Sequence, residues 1–248
     1  RSEPITAGGA TLDELVGRVV AISDQVIADA GVSRSDIVGA AMGIPAPIEQ
    51  TTREVGQQSV IPAIVGAGLE YQIARALGIP FTLENDANLS ALAEWTSGAA
   101  VGHRDAIYLE ISEGIGAGLI VNGRLHRGAR GTAGEIGHTP VIPDGPVCRC
   151  GNRGCLELVA AVGAITDAVN DQLPETLDID GVVARANGGD PMCRRILRDA
   201  GANIGTVVGS VCNLMNPTVI VIGGSLAGGW SMIEPALREA LDRSAIHT

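Results

Sequence analysis

Three of the chain's five cysteines lie within eight positions of one another, in the stretch GHTPVIPDGPVCRCGNRGCLE, and a histidine stands ten residues before the first of them. The pattern His138-x9-Cys148-x-Cys150-x4-Cys155 supplies three soft thiolates and one imidazole, the ligand set of a closed tetrahedral zinc site. Few patterns restrict a fold as narrowly, because four side chains must converge on one point. Disulfide pairing is the alternative reading. It would leave one clustered cysteine over, and it needs an oxidising compartment. Gly145, Pro146, Gly151 and Gly154 let the backbone fold tightly around an ion within the loop 138–155. Cys193 and Cys212 fall in an apolar helical stretch and read as small core residues.

The chain has 248 residues, enough for one large or two small domains, and its small apolar residues supply material for a core. Seventeen Lys and Arg stand against 28 Asp and Glu, a formal charge of −11, and no basic run interrupts the sequence. Such a surface repels a phosphate backbone. No apolar stretch approaches the ~20 residues that span a bilayer, and the opening RSEPITAGGA has no signal-peptide pattern, so the expected compartment is the cytoplasm with no membrane partner. That opening also lacks an initiator Met, which points to a piece of a longer protein. Two Trp, two Tyr and one Phe are all the aromatic residues present, so a small-molecule site here must rest on polar groups and backbone rather than stacking.

Helix and strand patterns alternate along the chain. TLDELVGRVVAISDQVIADAG carries apolar residues at Leu12, Leu15, Val16, Val19, Ile22, Val26 and Ile27, with a capping box at Thr11 and Glu14 and a stop at Gly31, and predicts an amphipathic helix. DIVGAAMGIP reads as a short buried strand, and GIPFTLENDANLSALAEW as a second strand delivering polar residues to a helix start. DAIYLEIS and GAGLIVNGRLH read as two strands of one sheet, the latter entering a hairpin turn at Asn122-Gly123. A long helix runs from about Pro191 to Leu214 and stops at Asn216-Pro217. TVIVIGGSLAGG reads as a buried strand ending in a glycine loop. The class is mixed α/β, with a boundary near Ser97-Gly98 that separates an N-terminal lobe (1–97) from a C-terminal lobe (98–248). Ligands in such folds sit at the carboxyl ends of strands, where several of these polar loops fall.

The run GTAGEIGHTPV…CRCGNRGCLE, together with ENDANLSALAE and GIGAGLIVNGRLHRG, closely resembles the ROK family of bacterial sugar kinases and sugar-responsive transcriptional repressors. The resemblance extends from about Ile37 to Gly224. It implies a two-lobed, actin-like and ribonuclease H-like sugar-kinase fold, with terminal elements missing here. It also implies that Glu135, His138 and Glu157 face sugar hydroxyls, and that Asn85 and Asp86 do the same, Asp86 serving as the base in a kinase. The zinc would then fix a loop bearing Glu135 and Glu157 at its two ends. Carboxylates and amides suit this task, since they accept from and donate to pairs of adjacent hydroxyls, and a missing hydroxyl leaves a buried carboxylate unpaired. Taken singly, Asp86 could cap the following helix, Glu135 and Glu157 could be solvated loop charges, and His138 an ordinary half-buried histidine.

On the phosphate side, SEGIGAGL offers Gly114, Gly116 and Gly118, and GGSLAGG offers Gly223 and Gly224, as backbone donors, although glycines also serve tight strand turns. The family's kinases commonly place a threonine before the first of these glycines; Glu113 stands here. A carboxylate there repels a triphosphate, by about 1–4 kcal/mol at a protein-surface dielectric unless magnesium intervenes. The family's Asp-x-Gly-Gly-Thr phosphate motif is absent, and the chain begins after the place where it should stand. Relatives also continue past the segment matching EALDRSAIHT with a strand and a closing helix. The resemblance therefore implies the sugar-binding effector domain of a ROK regulator, with structural zinc and a sugar or sugar-derivative effector. DNA would be bound only through a winged helix-turn-helix outside this chain, and assembly would be as a homodimer or tetramer. The alternative is an ATP- and magnesium-dependent hexose kinase.

Overall fold

The computed structural model describes residues 11–57, 59 and 61–246, so the opening stretch RSEPITAGGA lies outside the described residues. The first element, α1 (Leu12–Ala30), starts at the expected capping box: Glu14 N–H donates to Thr11 Oγ1 at 3.3 Å, and Thr11 N–H donates to Glu14 Oε2 at 2.8 Å. It ends at Gly31, which takes the left-handed conformation that the stop requires. Its stripe is shorter than the sequence pattern predicts. Leu12, Leu15, Val16, Val19 and Val20 meet a core, whereas Val26 is exposed, because the helix runs past the layer it covers.

That core is shared with β1 (Ala40–Ile44), α2 (Leu69–Leu77) and β2 (Phe81–Asn85), after which the chain turns directly into α3 (Asp86–Ser97). Strands β1 and β2 pair in parallel from Ala40 opposite Phe81 to Ile44 opposite Asn85. A parallel pair needs a long crossover, and α2 lies within it. Ile44, Ile48, Ile64, Ile73, Leu77 and Leu83 fill the space between. Two compact units divide within α3, after Leu89, and Arg127–Thr132 belongs to the first of them. The sequence places its boundary later, at the end of α3, because the helix offers no break in composition.

The second unit holds β3 (Ala106–Ile111), β4 (Ile115–Ile120), α4 (Glu157–Ala160), α5 (Val162–Asn170), α6 (Ile179–Asn187), α7 (Pro191–Met215), β5 (Val219–Gly223) and α8 (Trp230–Ser244). Its sheet has the order β4-β3-β5, antiparallel between β3 and β4 and parallel between β3 and β5. The predicted hairpin forms: Val121 and Arg124 exchange backbone hydrogen bonds of 2.8 and 3.1 Å across Asn122 and Gly123, both at positive φ. Leu109, Ile111 and Ile115 join Ile165, Leu197, Ile204 and Ile233 in the main core. Cys193 is fully buried there, and Cys212 is only half-buried against it. Strand β5 corrects another expectation, since every one of its residues is half-buried. Among the described residues it pairs only with β3, so one edge lacks the neighbour that a fully buried strand needs.

Helices α7 and α8 pack through Gly201, Gly205 and Gly209, spaced one turn apart along α7. A Cβ on Gly205 would stand 2.2 Å from Leu237 O, so the backbone of α8 lies against bare glycine. Among the described residues no helix is long and apolar enough to cross a membrane.

Candidate functional site

Asn85 is the last residue of β2 and Asp86 the first of α3, so both sit at the carboxyl end of the first unit's parallel pair. The helix-capping role weighed for Asp86 falls largely to its neighbour: Asn85 Oδ1 accepts from Asn88 N–H at 3.0 Å, the bond that closes the first turn. Asn85 Nδ2 also donates to Ala46 O at 3.4 Å, and Asp86 Oδ1 accepts from Ala87 N–H at 2.8 Å. Glu84, just before them, is buried at 4% exposure. It is neutralised by Arg127, whose Nε lies 2.6 Å from Oε2, and receives Asn88 Nδ2 at 3.0 Å. A buried carboxylate needs such partners. The base of this end is therefore a fixed polar lattice, of which the sequence reading found only Asn85 and Asp86.

The remaining predicted residues lie in the second unit. Glu135 precedes a single 3-10 turn, Ile136–His138, and two glycines press that segment onto β4. Gly134 has φ 94°, and a Cβ on Gly137 would stand 2.2 Å from Ile115 O, so neither position accepts a larger residue without displacement. Ala117 N–H donates to Gly134 O at 2.8 Å. The loop that follows returns through Leu156 N–H to Thr139 O at 2.9 Å, which delivers Glu157 to the start of α4 beside His138.

All four predicted metal ligands converge: the Nδ1 or Nε2 atom of His138 and the Sγ atoms of Cys148, Cys150 and Cys155 lie within 4.8 Å of one another. His138 Nδ1 is 3.6 Å from Cys148 Sγ, and Cys150 Sγ is 3.6 Å from Cys155 Sγ. A tetrahedral ion with Zn–S bonds of about 2.3 Å and a Zn–N bond of about 2.0 Å separates its ligand atoms by roughly 3.5–3.8 Å. The donor set and spacing therefore fit a metal ion. Every cysteine is a free thiol, so no disulfide forms. Burial holds His138 below its ordinary range, assisted by the Arg149 charge and opposed by Glu157, and a neutral imidazole is the form that binds a cation. Burial and the adjacent thiols push Cys155 up to about 12. At Cys150 burial acts in the same direction, but the Asn152 backbone and the neighbouring thiols outweigh it and bring this thiol below the ordinary value. A bound cation would displace these protons.

His138 presents two faces. Its Nδ1 looks toward the thiols, and its Nε2 stands 3.8 Å from Glu135 Oε2. With Nδ1 on a metal, Nε2 carries the proton and the imidazole orients toward the carboxylate. Glu157 is buried at 9% exposure and is held by Arg149, a residue that sequence reasoning did not single out. Its only sequence signal is its position between two cysteines.

The two glycine segments also meet. Gly116 and Gly118 lie within β4, opposite Glu110 and Tyr108, and only Gly114 sits in the turn, where its carbonyl accepts from Ser112 N–H at 2.9 Å. Gly223 closes β5 opposite Glu110, and Gly224 follows at φ 98°. Tyr108 donates to Glu110 Oε2 and Ser112 donates to Glu110 Oε1, both at 2.7 Å, while Ser225 N–H donates to Ser112 Oγ at 3.1 Å. Burial, and then the bond to Glu110, push the Tyr108 phenol up to about 12, so it remains a neutral donor. Glu113 lies beside the first turn of α5: a Cβ on Gly163 would be 3.5 Å from Glu113 Oε2. The alternation of Tyr108, Glu110 and Ser112 with buried Ile107, Leu109 and Ile111 is the sequence signal for this polar stripe.

The sequence profile described as the ROK family matches residues 15–247, further in both directions than the quoted motifs reach. A glucokinase from Halalkalibacterium halodurans is 31% identical over 224 residues, covering 82% of this chain and 66% of its own length. The DNA-binding transcriptional repressor Mlc of Escherichia coli K12 is 27% identical over 241 residues, covering 94% of this chain and 59% of its own. The chain thus spans less than two thirds of either relative. The crystal structure of a ROK hexokinase from Thermus thermophilus superposes with a TM-score of 0.78 at 30% identity, covering 98% of this chain and 82% of that one. The α/β architecture is the actin-like sugar-kinase fold of these neighbours.

Proposed function

The chain belongs to the ROK family, and on that premise we propose that it is the sugar-binding effector domain of a ROK transcriptional regulator. The observation that carries this reading is Glu113. Its carboxylate stands at the amino end of α5, where the helix dipole attracts an anion, and so that position already has a negative charge. The bond between Ser225 N–H and Ser112 Oγ, with Ser112 bound in turn to Glu110, supports the same reading, since it engages a backbone donor of the second glycine segment within the protein. A kinase would use both segments for nucleotide phosphates.

In this reading Asn85 and Asp86 take sugar hydroxyls, and so do Glu135, His138 and Glu157. Zinc occupies His138, Cys148, Cys150 and Cys155 as a structural ion, and DNA contact belongs to a part of the protein outside this chain, which assembles as a homodimer or tetramer. The second reading, an ATP- and magnesium-dependent hexose kinase, is favoured by Asp86, the residue type and position for a base on the hydroxyl, and by the 31% identity to a glucokinase. Calorimetric titration of the full-length gene product with hexoses, N-acetylhexosamines and pentoses tests the sugar site. At least one sugar binds, and Glu157→Ala and Asp86→Ala each abolish that binding. Failure of every sugar to bind would remove the proposal.

A further inference from the structure

Arg149 holds one of the carboxylates assigned to the sugar. Its Nη2 lies 3.0 Å from Oε1 and 3.0 Å from Oε2 of Glu157. We propose that Arg149 is a positioning residue of the sugar site, through which the metal loop sets the rotamer of Glu157. The inference rests on the reading of Glu157 as a ligand for sugar hydroxyls.

Three features favour a positioning role over an incidental surface pair. Glu157 is almost wholly buried, so its carboxylate is desolvated and its partner matters more than at an exposed site. Gly114 supplies the second. A Cβ there would be 3.2 Å from Glu157 Oε2 and 4.0 Å from Arg149 Nη2, so the missing side chain leaves room directly against the ion pair. The third is the backbone of Arg149 itself. It runs between Cys148 and Cys150 in a tight turn, with Cys148 N–H on Asn152 O at 2.7 Å and Gly151 N–H on Cys148 O at 2.9 Å. Ligation of both neighbouring thiols would fix the base of the side chain, and the guanidinium then fixes the carboxylate.

A carboxylate offers about four lone-pair directions. The arginine faces both oxygens from one side, which leaves acceptor capacity on the other for hydroxyl donors. A glutamate held in this way enters binding without losing rotamer freedom at that moment, and preorganisation of this kind raises affinity. A cation held by His138, Cys148, Cys150 and Cys155 would thus bear on the sugar only through Arg149 and Glu157.

Sugar titration of the full-length gene product tests this, using D-glucose, N-acetyl-D-glucosamine and D-xylose as probes on wild type, Arg149→Met, Arg149→Lys, Glu157→Gln and the double variant Arg149→Met/Glu157→Gln. Bound metal is measured by elemental analysis in parallel. The expected result is that Arg149→Met keeps the wild-type metal content and weakens the best probe about tenfold or more. Arg149→Lys, which keeps the charge on a shorter side chain, falls between wild type and Arg149→Met. The double variant binds no more weakly than Glu157→Gln alone, because the arginine acts through that carboxylate. Wild-type affinity in Arg149→Met, additive losses in the double variant, or loss of metal in Arg149→Met would each overturn the proposal. Binding of a probe by wild type that survives Glu157→Gln unchanged would instead overturn the sugar-site reading, and the positioning role with it.

Discussion

His138 carries two duties with two nitrogens. Its Nδ1 completes a cluster with three thiols, and its Nε2 addresses Glu135, so a single imidazole links the metal loop to the polar residues around it. Removing any thiol should unfasten both. Cys150→Ala is expected to weaken zinc binding by at least about a hundredfold, beyond what changes outside the ligand shell cost, and to lower the melting temperature of the zinc-loaded protein. Elemental analysis and a thermal melt check this; stoichiometric zinc with an unchanged melt would mean that the cluster is not the site. The convergence of these four residues was legible because metal ligands must be of a few types at a few spacings. Arg149, Glu84 and Arg127 were not, since an arginine or glutamate in isolation reads as a solvated charge, and only the fold brings Arg127 onto Glu84 across 43 positions.

At the level of elements, the regular pieces follow local rules. The capping box at Thr11, the hairpin at Asn122-Gly123 and the stop of α7 at Asn216 depend on neighbours in sequence, and each forms where its residues predict. The half-buried state of β5 was not legible, because burial of a strand depends on what lies beside it and an apolar run is the same at an edge as at a centre. The glycine stripe of α7 was also hidden. Glycine in a helix interior ordinarily weakens it, and Gly→Ala at an open position gains about 1 kcal/mol. Here the sign reverses. An alanine Cβ at position 205 would meet Leu237 O at 2.2 Å and Ala240 Cβ at 2.9 Å. Gly205→Ala should therefore destabilise the protein by about 1–3 kcal/mol, the usual cost of overpacking. Chemical denaturation measures it, and a gain in stability would show that α8 does not pack on α7 as closely as described.

For the whole molecule, the sequence carries a charge of −11, and the two glycine segments that a kinase would turn toward nucleotide phosphates are bordered by Glu110 and Glu113. Phosphoryl transfer depends above all on neutralising the charge of the transferring group and positioning it in line, and a base alone does not suffice. In the kinase reading Asp86 would be the base, while the carboxylates oppose the rest. Sensing asks less: a sugar need only bind one conformation of the protein better than another, and its differential affinity then sets the shift in any coupled DNA binding. The most direct measurement is a coupled assay for sugar phosphate on the full-length gene product, supplied with ATP, magnesium and a sugar that calorimetry has shown to bind. The expected result is no product above background at a saturating concentration of that sugar. Turnover on the order of 1–100 per second, the usual range of kinases, would contradict it.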